Sequence, residues 1–325
     1  MADATLRKLV TEKAVQDAAI IDHLVNASGI LQTALMIPSS HGKFHKYKKV
    51  SALPSAAFRS IGGSYTDQTV DNEIAQLDLK MAGIVQREDK AICDEIGVKK
   101  YFMDNRPAVM EALGQKIAKQ IIYGSYNGTS VYGDVSGFIG WHQIADANGS
   151  SYYTDAGGGD ANVTSIFVVK YKPGQCGLVY NSQTVAAGNF IQTSFPNGGN
   201  MFLEYTASGT SRPVYGVLYE TDLAFLASHA YTVHAIVGVN ASNCPTDLEM
   251  KAAIDSVKGT SGDTFIYTSR LGRRCIESLN ATAMDTTPAS QDFNTMITRY
   301  RGIPIVIDEN IKADETLSYL PYGLS

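Results

Sequence analysis

Charge is scarce in this sequence. Asp, Glu, Lys and Arg together make up 18% of its 325 residues, below the roughly 25% of an average soluble protein. Gly, Ser, Thr, Asn and Tyr fill the gap, and such a surface tolerates contact with other protein. The 27 basic and 32 acidic residues leave a formal charge of -5. That excludes a chain that gathers nucleic acid through a general positive field, while a local basic patch stays open. Cysteine is sparse and scattered: Cys93, Cys176, Cys244 and Cys275 form no Cys-x-x-Cys and have no His at ligand spacing. Neither a zinc site nor a redox dithiol is therefore expected. Long apolar runs are missing as well. The best of them, Ala235 to Val239, is far too short to span a bilayer. Asp3 and Glu12 interrupt the first dozen residues, so no export signal is expected and the chain should be cytosolic when made. The sequons at Asn26, Asn127, Asn148, Asn162, Asn240 and Asn280 then reflect only abundant Asn, Ser and Thr.

Catalytic and cofactor signatures are equally thin. His41 and His45 are four apart, but Gly42 and the neighbouring Pro and Lys disfavour a helix, and the Glu of a zincin is missing. Gly157-Gly-Gly159 and Gly198-Gly199 open no apolar helix after a strand, so they are turns rather than phosphate or dinucleotide loops. No Gly-x-Ser-x-Gly elbow occurs. The adjacent acids Glu88 with Asp89 and Asp308 with Glu309 should point apart as solvated charges. No catalytic residue, cofactor or metal is expected.

What is present is a distinctive order of elements, in a chain long enough for about two domains. Leu6, Leu9, Val10, Ala14, Ala18, Ile21, Leu24 and Val25 recur at threes and fours until Ser28-Gly29, which predicts an amphipathic helix as an N-terminal arm. Lys43 to Val50 is rich in Lys, aromatic and β-branched residues. From Ile74 to Met81 the apolar Ala75, Leu77, Leu79 and Met81 alternate with polar residues, the period of a strand with one apolar face. These two stretches are expected to pair as a long β-hairpin. An arm from Lys43 to Phe58 would extend about 50 Å at ~3.3 Å per residue, against a radius of gyration of ~20 Å for a compact chain of this size. Much of it must project, and its open edges need covering.

Asp104-Asn-Arg-Pro107 looks like a cap with an early proline. Val109, Leu113, Ile117 and Ile121 follow at fourth positions and Gly124 closes the run, which predicts a helix over about 104–124. Gly124 to Gly159, around the single Trp141, is predicted as loop. Short strands are expected at Ser165–Tyr171, Gly177–Tyr180, Val214–Tyr219, Thr232–Val239, Thr264–Thr268, Thr295–Tyr300 and Ile303–Ile307. A capping box at Thr246 and Glu249 starts one further helix, and Arg270 to Leu279 another.

This order resembles that of the tailed-bacteriophage major capsid proteins of the Hong Kong 97 fold, and within them the gene-seven-like podovirus subfamily. The residues that carry it are Leu53-Pro54-Ser-Ala-Ala-Phe58-Arg59, Met103-Asp-Asn105, Ile122-Tyr-Gly124-Ser125, Thr164-Ser-Ile-Phe-Val-Val169, Gly177-Leu-Val-Tyr180 and Tyr300-Arg-Gly302-Ile-Pro304-Ile305. The resemblance implies an α+β chain with an N-terminal arm at 1–36 and an extended loop at 37–82. A peripheral domain with its spine helix would fall at 83–164 and 285–325, and an axial domain at 165–284. It implies hexameric and pentameric capsomers closing an icosahedral shell around double-stranded DNA, with a portal as partner, no membrane, and assembly in the host cytoplasm. The namesake carries a long internal scaffolding segment where only some 36 residues precede the loop here, and this departure leads to the expectation of a separate scaffolding protein. The loop and arm residues expected at contacts between subunits are Lys43, Lys46, Lys48, Lys49, Phe58, Arg59, Leu77 and Leu79; Pro107, Gly124, Gly302 and Pro304 are expected to be structural. The lysines are assigned to acidic residues of a neighbouring subunit in preference to a phosphate backbone. An encapsulin-like cargo shell and a soluble hydrolase with an unrecognised acidic pair are the competing readings.

Overall fold

The computed structural model describes residues 5–13, 18–52, 56, 58–65, 71–125, 131–205, 209–279, 284–288 and 296–320. Helices α1 (Leu6–Lys13), α2 (Ala18–Asn26) and α3 (Gly29–Thr33) precede β1 (Met36–Pro38). The pair β2 (Phe44–Ala52) and β3 (Asp71–Asp78) leads into β4 (Lys80–Asp89), α4 (Lys90–Ile96), α5 (Val98–Tyr123) and the short α6 (Trp141–Ala147). Next come β5 (Tyr153–Asp155), β6 (Ala161–Lys170), β7 (Cys176–Tyr180), α7 (Ser182–Ala186), β8 (Gln192–Ser194), β9 (Phe202–Tyr205), β10 (Ser211–Ala227) and β11 (Val233–Val239). The last elements are α8 (Asp247–Ser256), β12 (Thr264–Thr268), α9 (Arg270–Ser278), β13 (Met284–Pro288), β14 (Met296–Tyr300), β15 (Ile303–Ile307) and β16 (Glu315–Thr316).

Two sheets share the core. In the first, β10 is the hub: it runs antiparallel to β4 from Val214 to Leu223 and to β7 from Leu223 to Ala227, and β1 lies parallel to β7. The face with Ala82 and Ile84 of β4 and Val217 and Tyr219 of β10 turns into the core, and Met81 and Val85 on the other face are exposed. In the second sheet β6 lies antiparallel between β11 and β12, and β15 adds to β12 in parallel. β6 is buried on both faces, which is why it reads as an unbroken apolar run. Ile166 and Val168 pack with Met250, Ile254 and Ile276 of α8 and α9, whereas Val163, Phe167 and Val169 join the larger core. Trp141 wedges the sheets together, its ring 5.4 Å from Phe167, 4.9 Å from Tyr267 and 6.0 Å from Phe225.

The predicted strands and the helices α8 and α9 lie within a few residues of their expected places, except that Val214–Tyr219 is part of the longer β10. The Thr246–Glu249 capping box is formed in both directions. Four expectations need correction. The passage from Gly124 to Gly159 holds α6, whose first six residues are buried; seven residues between glycines are too few to display a helical period. α5 begins at Val98, and Pro107 is internal rather than an early-turn residue. Its missing N–H leaves the Met103 carbonyl without a helical donor, at an exposed residue where water can serve. The single N-terminal helix is instead α1, α2 and α3, with Ala14 outside the described residues. Finally, the sheets cut across the divisions at 164/165 and 284/285: β7 and β10 share a sheet with β4, and β15 shares one with β6.

Candidate assembly surface

β2 and β3 form a sheet of their own, in register from Phe44 opposite Asp78 to Ala52 opposite Asp71. Alternation gives this ribbon two faces. One carries Lys46, Lys48, Ile74 and Gln76, all exposed. The other carries His45, Tyr47, Ala75 and Leu77, all half-buried, with Tyr47 and Leu77 packed against the main core. Burial accordingly lowers the pKa of His45 and raises that of Tyr47. Lys43 is exposed just ahead of β2, and its carbonyl accepts from the Leu79 N–H at 2.9 Å. Of the expected four-lysine cluster, Lys46 and Lys48 share one face of the ribbon. Lys49 pairs in register with Glu73, and its side chain lies outside the described residues.

The apolar alternation expected from Ile74 to Met81 changes hands at Leu79. β3 ends at Asp78, Leu79 is 8% exposed within the core, and β4 starts at Lys80 with Met81 facing outward. Leu79, and in part Leu77, predicted as contacts between subunits, are thus held by their own chain at the root of the ribbon. The reason is that the chain passes there from the ribbon into the ladder with β10.

At the far end Phe58 and Ile61 are fully exposed, and Tyr65 is 64% exposed. The tip has local order: Gly63 N–H donates to the Ser60 carbonyl at 3.0 Å, and Arg59 donates to the Gly63 carbonyl at 2.9 Å and lies 5.1 Å from the Tyr65 ring. Residues 53–55 and 57, including Leu53 and Pro54, lie outside the described residues. The described tip thus presents three large apolar or aromatic side chains to solvent.

The N-terminal arm is packed rather than free. Leu6, Leu9, Ile21, Leu24, Val25, Ile30 and Leu31 are all buried in the main core. α2 lies against α5 where Gly114 permits it, since a Cβ there would come within 2.6 Å of the Leu24 carbonyl oxygen. At the head of α3, Ser28 caps Ile30 and donates to Asp308, which also accepts from the Ile30 N–H at 3.0 Å and from Asn310. Gly124 ends α5, where a Cβ would meet the Phe138 carbonyl oxygen at 2.1 Å. Beside it the Gln120 side chain donates to the Asp134 and Phe138 carbonyls at 2.9 and 2.7 Å. Arg301 and Gly302, with φ of 52° and 80°, form the two-residue turn between β14 and β15. Pro304 lies opposite Arg299, one residue before β15 begins its pairing with β12.

The residues singled out for chemistry do not converge. His41 stacks on Phe44 at 4.8 Å. Glu88 accepts from the Tyr101 hydroxyl, which lowers the Glu88 pKa and pushes Tyr101 up to about 12. Asp89 caps α4 through the Ala91 N–H at 2.8 Å. These two acids, half-exposed, and the pair Asp308 and Glu309 were expected as solvated charges; Asp308 is instead buried, and Glu309 is exposed and paired with Arg270. Glu315, which the sequence did not single out, is wholly buried and accepts from the Tyr123 and Ser165 hydroxyls, with burial raising its pKa to about 7. Cys244 and Cys275, 31 residues apart, form a disulfide with Cα atoms 5.0 Å apart, a pairing not assigned from the sequence. Among the described residues no group of three or more His, Cys, Asp or Glu is placed to hold a metal, and no helix is long and apolar enough to cross a membrane. Of the residues missed, Gly114 left a signal, since a glycine inside a strongly periodic helix usually marks a close approach.

A family model described as major capsid protein GP7 matches residues 12–318. No curated protein matches this sequence. Among solved structures, a chain of bacteriophage Epsilon15, determined by cryo-EM, is similar in fold with a TM-score of 0.58 at 15% identity, covering 87% of this chain and 87% of that one. The capsid of bacteriophage JBD30 aligns over 86% of this chain and 89% of its own at 9% identity, with a TM-score of 0.46.

Proposed function

Because this chain belongs to the major capsid protein GP7 family, we propose that its projecting ribbon is the strap with which copies of it close into a shell. The chain is a shell-forming major capsid protein with the α+β Hong Kong 97-like fold, and its place is the virion capsid. The observation that carries the strap reading is the tip: Phe58 and Ile61 are fully exposed, while the described ribbon residues that pack on their own core, Tyr47 and Leu77, lie near its root. Each strap lies over an adjacent subunit, and modest contacts multiplied by symmetry give a strong wall. Phe58 and Arg59 make the tip contact, and Lys43, Lys46 and Lys48 meet acidic residues of the neighbour.

In this reading the capsomers are hexamers and pentamers of an icosahedral shell that encloses double-stranded DNA without reading its sequence. A portal and a separate scaffolding protein assist assembly in the host cytoplasm. The first sheet with α5 serves as the peripheral part and the second sheet with α8 and α9 as the axial part, in place of divisions at 165 and 285. The mechanism is binding, without catalysis; the dispersal of the candidate acids and histidines supports that view. The test replaces residues 50–72 by an Asn-Gly turn, which suits a two-residue hairpin and keeps Tyr47 and Leu77 at the root. Electron microscopy is expected to find the wild type as shells and the shortened chain as unassembled capsomers. Shells of normal size from the shortened chain would refute the strap.

A further inference from the structure

On the second sheet, Lys170 at the end of β6, Lys172 in the turn before β7 and Lys258 just after α8 converge with His229 and Tyr231 on a pocket of about 280 Å³. None of the lining residues is acidic. The nearest carboxylate by bonding, Asp263, pairs with Lys170 at 3.5 Å through one oxygen and accepts from the Thr260 and Thr264 hydroxyls on the other. Two of the ammonium groups are held in place. Lys170 donates to the Lys258 carbonyl at 2.6 Å, and the Lys258 ammonium sits 4.0 Å from the centroid of the Tyr231 ring, which itself stacks on His229. The third, Lys172, is exposed and has no ion pair among the described residues. The pocket therefore reverses the sign of a chain with formal charge -5.

A second observation is independent of charge. Lys258 has φ of 51° and follows the last turn of α8, where the Gly259 N–H closes onto the Ile254 carbonyl at 2.9 Å. Glycine fills such a left-handed position without strain, whereas a lysine is strained there. A strained backbone that carries an ammonium group over a basic pocket points to a use for that group.

We propose that this pocket binds a phosphate group, either of a nucleic acid backbone or of a free phosphate. Lys172 and Lys258 match its charge, Lys170, shared with Asp263, adds a third donor, and Tyr231 with His229 supplies a wall against which a sugar or base could rest. The inference goes beyond shell formation and does not depend on it.

The test is titration of the full-length chain with inorganic phosphate, followed by phosphorus NMR line broadening. Saturable binding is expected, weakened about tenfold in Lys258→Gly and in Lys172→Glu. Lys258→Gly suits the backbone, so its melting temperature should equal or exceed that of the wild type, which separates loss of binding from loss of fold. Displacement of bound phosphate by a short DNA duplex assigns the backbone as the source; no displacement assigns a free phosphate, and both results support the pocket. Absence of binding in the wild type, or equal binding in both variants, overturns the proposal. Unchanged phosphate binding with altered assembly would also overturn it, and would assign the lysines to carboxylates of a second copy.

Discussion

The Ser28 hydroxyl donates to the buried carboxylate of Asp308 across 280 residues of chain, joining the head of α3 to the segment after β15. Asp308 also accepts from the Ile30 N–H and from Asn310, so this one side chain closes the N-terminal arm onto the C-terminal strand. Asp308→Ala leaves two buried donors without an acceptor. A loss of about 2 kcal/mol or more is expected in denaturant unfolding, with Asp308→Asn losing less because it keeps an acceptor oxygen.

Gly114 sets the distance between α2 and α5. Gly114→Val should destabilise the chain by about 1–3 kcal/mol through overpacking. Limited proteolysis should then release the N-terminal residues first. Ala112→Val, on the exposed side of the same helix, is the control and should change the melting temperature little.

Glu315 has its pKa raised to about 7 by burial, against an ordinary 4.5. Between those values the unfolded chain releases a proton that the native chain keeps, so this residue's contribution to stability falls as pH rises through the window. His142 and His234 act the other way. Burial depresses them to about 3 and about 4, so the stability they contribute above pH 6.5 is lost as pH falls. The difference between wild type and Glu315→Gln isolates the carboxyl, since both chains carry the two histidines: in melting curves from pH 5 to 8 the stability of the wild type relative to the variant should fall as pH rises towards about 7 and level off above it. Parallel curves would contradict the assignment.

Much of the fold was legible because its signals are local. The run at Thr164–Val169, the Thr246–Glu249 box and the fourth-position row from Val109 to Ile121 each state their structure within ten or so residues. The ribbon was legible from chain length and alternation alone. What stayed hidden depends on partners distant in sequence. Trp141 in a seven-residue helix is fixed by Phe167, Phe225 and Tyr267, the Cys244–Cys275 pair spans 31 residues, and Leu79 changes role because β10 lies beside it. Pro107 misled for a physical reason: a proline near an Asp-Asn pair usually opens a helix, and here the exposed Met103 carbonyl lets the helix run through it.

The most direct test of the strap is light scattering on Phe58→Asp/Ile61→Asp beside the wild type. Both side chains are fully exposed in the single chain, so the melting temperature of the unassembled variant should not change. Megadalton particles are expected from the wild type, and only monomers or capsomers from the variant. Particles of wild-type mass from the variant would mean that the tip is not what joins one copy to the next.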